Sequence, residues 1–81
     1  MKTILILGAG LSSSSLIRYL LQEAPKNEWQ LNIVDQNLET IERKINGSKY
    51  GKAIVKNALD PQERELLIKE ADLVISMLPA V

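Results

Sequence analysis

The 81-residue sequence contains no cysteine and no histidine. Without these side chains the chain cannot form a disulfide, a thiolate nucleophile, an imidazole base or the nitrogen and sulfur ligands of ordinary zinc sites. Ten basic residues balance ten acidic ones, so the formal net charge is zero. A neutral chain gives no electrostatic reason to expect nucleic acid as a partner. We therefore expect no metal site and no nucleic-acid partner, and phosphate groups would have to bind to backbone amides rather than to a lysine patch.

Long hydrophobic runs are also missing, since none approaches the roughly 20 residues that span a bilayer. The apolar segment from Ile4 to Leu11 follows Met1 and Lys2 and is similar to a short secretory signal. No cleavage site of the A-x-A kind follows it, however, and the next residues have the pattern of an amphipathic helix. The segment is therefore expected to begin with a strand, and the protein is expected to be cytoplasmic with no membrane partner.

Strand-like and helix-like patterns alternate along the whole chain, which has the length of one small domain. The predicted strands are Thr3–Leu7, Gln30–Asp35, Lys52–Val55 and Asp72–Met77, and the predicted helices are Leu11–Ala24, Asn37–Asn46 and a third from the cap Asp60 to Glu70. The segment Pro25-Lys26-Asn27 is expected to end the first helix. This βαβαβαβ order predicts an α/β fold with a parallel sheet. The expected architecture is a truncated Rossmann-like domain with strand order 3-2-1-4.

A glycine turn, Gly8-Ala9-Gly10-Leu11-Ser12-Ser13, follows the first strand and leads into the first helix. Gly8 allows a tight turn, and Gly10 leaves room for a pyrophosphate against the backbone. The helix dipole and its unpaired N–H groups then favour the negative charge. Ser13 stands where the dinucleotide pattern has its third glycine or alanine, and it is interpreted as a tolerated small variant. The serines at 12–15 have an alternative interpretation as a flexible linker, but their position favours donors around a phosphate.

Asp35 ends the second predicted strand, where the dinucleotide pattern requires an acidic residue. A carboxylate there can accept hydrogen bonds from the adenosine ribose hydroxyls. It would also repel a 2′-phosphate, so NAD is the expected cofactor and NADP is disfavoured. The alternative is an aspartate that only starts the turn into Gln36 and Asn37.

Three further positions border the expected crevice. Asp60 caps the third helix, and capping alone explains it, although residues 57–59 before it are placed to flank an adenine. Ser76 leaves the fourth strand beside the glycine turn, where a plain strand serine is an equally good interpretation. Arg18, Arg43 and Arg64 are interpreted as solvated charges on helix faces.

Three segments of the chain resemble the amino-terminal part of the saccharopine dehydrogenase family. They are ILILGAGLSSSSLIRYL at 4–20, the strand end Val34-Asp35, and ADLVISMLPA at 71–80. A fourth strand that ends in Ser-Met-Leu-Pro-Ala is typical of that family's cofactor domain. The resemblance covers essentially all 81 residues, which make up the amino-terminal part of a dinucleotide-binding domain and include no substrate domain.

This resemblance implies an oxidoreductase of lysine metabolism that transfers hydride between a nicotinamide cofactor and a secondary amine or imine. The family's substrate and proton-transfer positions match nothing here, so this chain is expected to contain no catalytic residue and to be inactive alone. The cofactor-binding positions implied for this chain are Gly8, Gly10, Leu11, Ser12, Ser13, Asp35, Asp60, Ser76, Leu78 and Pro79.

Two other functions and one mode of assembly stay open at this point. A regulatory dinucleotide-sensing module of the potassium-transport type shares the glycine turn and the acidic strand end, but it usually has glycine at the third position and lacks the Leu-Pro-Ala ending. A structural α/β domain without a ligand is the third interpretation. The exposed edge of the fourth strand leaves room for a homodimer.

Overall fold

The computed structural model of the chain describes residues 1–8 and 14–77. The elements are β1 (Lys2–Leu7), α1 (Ser14–Asn27), β2 (Trp29–Asp35), α2 (Leu38–Ile45), β3 (Gly51–Val55), α3 (Pro61–Lys69) and β4 (Leu73–Ser76). The predicted alternation of strands and helices is confirmed. Within this part of the chain, each helix is too short or too polar to cross a bilayer.

The four strands form one parallel sheet in the order β3-β2-β1-β4, as the sequence predicts. Leu7 at the end of β1 is aligned with Val34 of β2 on one side and with Ser76 of β4 on the other. The carboxyl ends of the strands therefore meet at one edge of the sheet. Because β4 follows β3 in the chain but pairs with β1, the connections change direction between β1 and β4, which is where α/β sheets open a crevice for a ligand.

The central strands β1 and β2 are buried on both faces, and β1 accordingly ends in a continuous apolar run, whereas β2 keeps the half-buried Asn32 between Leu31 and Ile33. Residues Ile4 to Leu7 of β1 are all at most 3% exposed, and Leu31, Ile33 and Val34 of β2 are fully buried. Burying one such side chain contributes about 1.5–3 kcal/mol. These two buried strands therefore fix the position of their carboxyl ends and of any site formed there.

Helices α1 and α2 cover the same face of the sheet. The side chains of Ile4, Ile6, Leu31 and Ile33 point to that face and form one core cluster with the helices. The helical members of this cluster are Ile17, Leu20, Ala24, Ile41 and Ile45. The period of these positions along each helix is that of an amphipathic helix with its apolar stripe against a sheet.

Helix α3 lies on the opposite face and covers it less completely. Leu5, Leu7, Val34 and Ala58 are buried there, with half-buried side chains from α3 and β4 beside them. No residue of α3 is itself buried, and Leu66 on this helix is 62% exposed. The two faces of the sheet are thus unequal, with the larger core under α1 and α2.

The predicted last residue of α1, Ala24, is wrong, because the helix ends three residues later at Asn27, within the segment Pro25-Lys26-Asn27 that is expected to end it. The helix continues through Pro25 to Asn27. Proline costs one backbone hydrogen bond in a helix interior, but here only the last turn follows it. The Asn27 side chain donates to the Glu23 carbonyl at 2.8 Å within that turn. The helix ends because Glu28 takes a positive φ of 56°, which no continuing α-helix allows.

Candidate functional site

Gly8 begins the connection that leaves β1, and its backbone has a φ of 94°. Residues with a side chain rarely adopt this conformation, whereas glycine does so without strain. The Gly8 N–H donates to the Val34 carbonyl at 2.8 Å, so the start of the turn is fixed to the end of β2. The tight turn predicted to start at Gly8 continues into residues 9–13, which lie outside the described part of the chain.

Asp35 is the last residue of β2, and its carboxylate is held by the chain that follows. Oδ1 accepts hydrogen bonds from the N–H groups of Gln36 at 2.6 Å and Asn37 at 3.3 Å. The side chain is half-buried at the sheet edge. The alternative interpretation from the sequence, an aspartate that starts a turn, therefore describes part of what this residue does. The same hydrogen bonds also fix the direction of the carboxylate, which a ligand site requires.

The connection after β3 is tied to the connection after β2 through Asn57. Its Oδ1 accepts from the Leu59 N–H at 3.0 Å and from Gln36 Nε2 at 3.1 Å. The Asn57 N–H donates to Glu63 Oε2 at 3.2 Å. One amide side chain thus orders its own turn and links it to the residue that follows Asp35. Gln36 was missed as a candidate site residue, and its only sequence signal is its place directly after Asp35.

A small cleft of about 110 Å³ lies between these connections. Its lining in the described part of the chain consists of Gly8, Val34, Asp35, Gln36, Asn57, Ala58 and Leu59. Drug-sized ligands occupy pockets of roughly 300–1,000 Å³, so this cleft is smaller than a site that encloses such a ligand. It combines an apolar wall from Leu59, which is 57% exposed, with a carboxylate and two side-chain amides. Such a wall suits a planar base, and the polar groups suit a sugar.

Asp60 caps α3, as predicted, and the structure places it next to the cleft without making it part of the lining described above. Its Oδ1 accepts from the Gln62 N–H at 2.9 Å. Glu63 stands three residues after the cap, where a capping box would direct it back to the Asp60 N–H. Instead, Glu63 binds the Asn57 N–H, and the Asp60 N–H donates to the Asn57 carbonyl at 3.0 Å. Asp60 thereby supports the cleft through Asn57 rather than from within it.

Ser76 is the last residue of β4 and lies beside the end of β1. It is aligned with Leu7, and the next residue, Met77, donates its N–H to the Leu7 carbonyl at 2.8 Å. Its side chain is exposed. The structure thus puts Ser76 next to the first residue of the glycine turn, and Ser76 is not among the described residues that line the cleft. The other predicted cofactor positions lie outside the described residues: Gly10, Leu11, Ser12, Ser13, Leu78 and Pro79.

Comparison with protein families gives one match, which covers residues 4–81. The matching family model is described as the saccharopine dehydrogenase NADP binding domain. No curated protein matches the chain. The match spans nearly all the residues and includes every position discussed for the cleft, so a nicotinamide dinucleotide is the class of cofactor to consider for it.

Proposed function

Because the chain belongs to the family of saccharopine dehydrogenase NADP-binding domains, we propose that its cleft binds the adenosine end of a nicotinamide dinucleotide. The observation that carries this proposal is the position of Gly8, Asp35 and Asn57 around one cleft at the carboxyl ends of β1, β2 and β3. Dinucleotides bind to α/β sheets at this edge, next to the strand where the order reverses.

The residues of the cleft suggest a role for each part of the adenosine. Asp35 is oriented to accept hydrogen bonds from the ribose hydroxyls, and the exposed side chain of Leu59 offers an apolar surface to the adenine ring. The pyrophosphate would lie at the glycine turn that begins with Gly8, where the N-terminus of α1 favours negative charge. Gly10, Leu11, Ser12 and Ser13 belong to that turn by sequence.

We further propose that the chain prefers NAD(H) to NADP(H), although the description of the family names NADP. The support is chemical. A carboxylate at the end of β2 hydrogen-bonds to a free 2′-hydroxyl but repels a 2′-phosphate. The next two residues are Gln36 and Asn37, so no arginine or lysine directly follows Asp35 to neutralise a phosphate there.

The proposed reaction is hydride transfer between the nicotinamide and a secondary amine or imine, in lysine metabolism. The family match and the strand end at 76–80 support this assignment. The substrate and proton-transfer groups are proposed to lie outside these 81 residues, which would then be the amino-terminal part of the cofactor domain. The face of the sheet under α3 is only partly covered, and Leu73 on β4 is 52% exposed. Both observations fit a sheet that continues beyond β4. The proposed compartment is the cytoplasm, and homodimerisation stays a prediction.

Calorimetric titration of the chain with NADH, NADPH, ADP-ribose and nicotinamide mononucleotide tests the proposal. We expect both dinucleotides to bind, NADH more tightly, and ADP-ribose to compete for the same site because it contains the adenosine and the pyrophosphate. Nicotinamide mononucleotide should not compete. Binding of neither dinucleotide would contradict the proposed function, and equal binding of the mononucleotide and ADP-ribose would contradict the placement of the adenosine in the cleft.

A further inference from the structure

A second and larger concavity lies between α1, α2 and the connection that follows α2. It is a groove of about 700 Å³ between the two helices, and it shares no lining residue with the cleft. This volume falls within the range of small-molecule sites. The charged side chains that the described residues contribute to the groove are all cationic: Arg18 from α1, and Arg43 and Lys44 from the last turn of α2.

Lys44 is directed into the helix pair rather than out into solvent. Its Nζ donates a short hydrogen bond to Ser14 Oγ, and the contact is partly buried. Ser14 is the first residue of α1 and lies 30 residues away in the sequence. The ammonium group is thus held at one end of the groove before any ligand arrives, which reduces the side-chain entropy that binding would cost.

Arg43 has only a weak partner on its own helix. Its Nη2 lies 3.7 Å from Glu39 Oε1, and both side chains are at least 75% exposed. Exposed pairs of this i,i+4 kind contribute little to stability. A ligand with a stronger negative charge can therefore replace Glu39 as the partner of the Arg43 guanidinium, whose planar donors suit phosphate oxygens.

The floor of the groove is apolar and closely packed. It is formed by Leu21 of α1 and Ile45 of α2, and both side chains lie against Gly51 on β3. A methyl group added at Gly51 would come within 3.0 Å of Ile45 and 3.3 Å of Leu21, so the floor has little freedom to collapse or open. Side-chain amides of Gln22 and Asn46 add neutral donors at the rim.

We infer that this groove is a binding site for a small phosphorylated molecule, separate from the dinucleotide cleft. Three cations from two helices converge on one preformed concavity in a chain whose net charge is zero. A concavity lined by one sign of charge concentrates oppositely charged ligands. The rest of the chain has seven basic and ten acidic residues, a formal charge of −3, which favours a compact anion over a long nucleic acid, since the latter would need a basic surface beyond the groove.

The test is an amide NMR titration of the chain with inorganic pyrophosphate, with sodium chloride adjusted to hold the ionic strength constant. We expect saturable shifts at Arg18, Gln22 and Asn46. In the double variant Arg18→Gln/Arg43→Gln, the dissociation constant should rise at least ~10-fold, because two charge-assisted contacts are lost. Lys44→Gln should weaken binding as well, and circular dichroism must show that it is folded.

The matched control is Lys69→Gln on α3, because Lys69 also forms an exposed i,i+4 pair, with Glu65 at 3.9 Å. This variant should bind pyrophosphate as the unchanged chain does. The inference is wrong if the shifts do not saturate, if they are confined to Gly8, Asn57 and Ala58 of the cleft, or if the double variant binds as well as the control. A short single-stranded oligonucleotide that shifts the same amides more tightly than pyrophosphate would overturn the assignment to small molecules. Saturation with NADH distinguishes the groove from the glycine turn before α1: pyrophosphate should still shift Asn46 in the NADH-bound chain, and loss of all its shifts would place the anion at the glycine turn instead.

Discussion

Replacing Asp35 with asparagine should shift the cofactor preference of this chain toward NADPH by about a hundredfold. Asparagine has the shape of aspartate and keeps an Oδ1 acceptor for the N–H groups of Gln36 and Asn37, which lie 2.6 and 3.3 Å from the Asp35 oxygen. The turn after β2 should therefore persist. The substitution removes the negative charge and leaves the geometry of the cleft.

The magnitude has two parts. A hydrogen bond to a charged acceptor contributes about 1.5–3 kcal/mol and one to a neutral acceptor about 0.5–1.5, so NADH should lose roughly 1 kcal/mol, or about fivefold in affinity. NADPH should gain, because repulsion disappears. For a divalent phosphate at roughly 5 Å from one carboxylate charge in water-like surroundings, that repulsion is about 1.7 kcal/mol, or about twentyfold. The high dielectric constant is appropriate because Asp35 is only half-buried.

The assay is calorimetric titration of the chain and the variant with both reduced cofactors, which gives four dissociation constants and one ratio for each protein. Asp60→Asn is the matched control, since it removes the same charge from a residue that caps α3 beside the cleft. Its ratio should change much less than that of Asp35→Asn, because Asp60 is not part of the described lining of the cleft and its Oδ1 accepts from the Gln62 N–H on α3. A folded Asp35→Asn variant with an unchanged ratio would refute the ribose role of Asp35. A clear preference of the unchanged chain for NADPH would refute the proposed NAD preference.

Three substitutions test the local structure around the two concavities. Asp60→Ala should lower the free energy of unfolding by about 1 kcal/mol in urea titrations, because it removes the acceptor for the Gln62 N–H; an equal loss in Asp60→Asn would contradict the capping role. Asn46→Ala should destabilise by roughly 1 kcal/mol in thermal unfolding and Asn46→Gly should not, since φ is 50° at this C-cap; equal melting temperatures would contradict that reason. Gly51→Ala should cost about 1–3 kcal/mol by calorimetry, because its Cβ would lie 3.0 Å from Ile45; an unchanged melting temperature would show that Ile45 moves aside freely.

The elements of this fold could be predicted because their signals are local. The buried run of β1 and the cap-proline start of α3 each depend on a few consecutive residues. The strand order then follows from the glycine turn after β1 and from the alternation of elements. Pro25 shows where local rules fail, since a proline usually stops a helix but here leaves the last turn intact. The loss of stability caused by one missing backbone hydrogen bond depends on how many helical residues follow the proline.

The site could be predicted only in the parts that follow directly from strand ends. Gly8 and Asp35 are the residues at which β1 and β2 end or turn, so their place is fixed once the strands are recognised. The hydrogen bond between Gln36 and Asn57 joins residues 21 positions apart. It depends on the register that aligns Asp35 with Val55, and no short-range pattern in the sequence contains that register. The contact of Lys44 with Ser14 could not be predicted from the sequence for the same reason, since the two residues are 30 positions apart.

The zero net charge is the point at which the sequence is most misleading, because a sum over the chain does not show where charges meet. In the cleft, none of the described lining residues is a lysine or an arginine, and the turn at 9–13 contains only alanine, glycine, leucine and serine. Cofactor binding there should come from shape, backbone amides and Asp35, so its dissociation constant should change little with salt. The groove holds three cations, and its affinity for pyrophosphate should fall steeply as salt screens them. Titrations of NADH and pyrophosphate at low and high sodium chloride compare the two directly, and an equally steep salt dependence for both would show that cations also bind the cofactor.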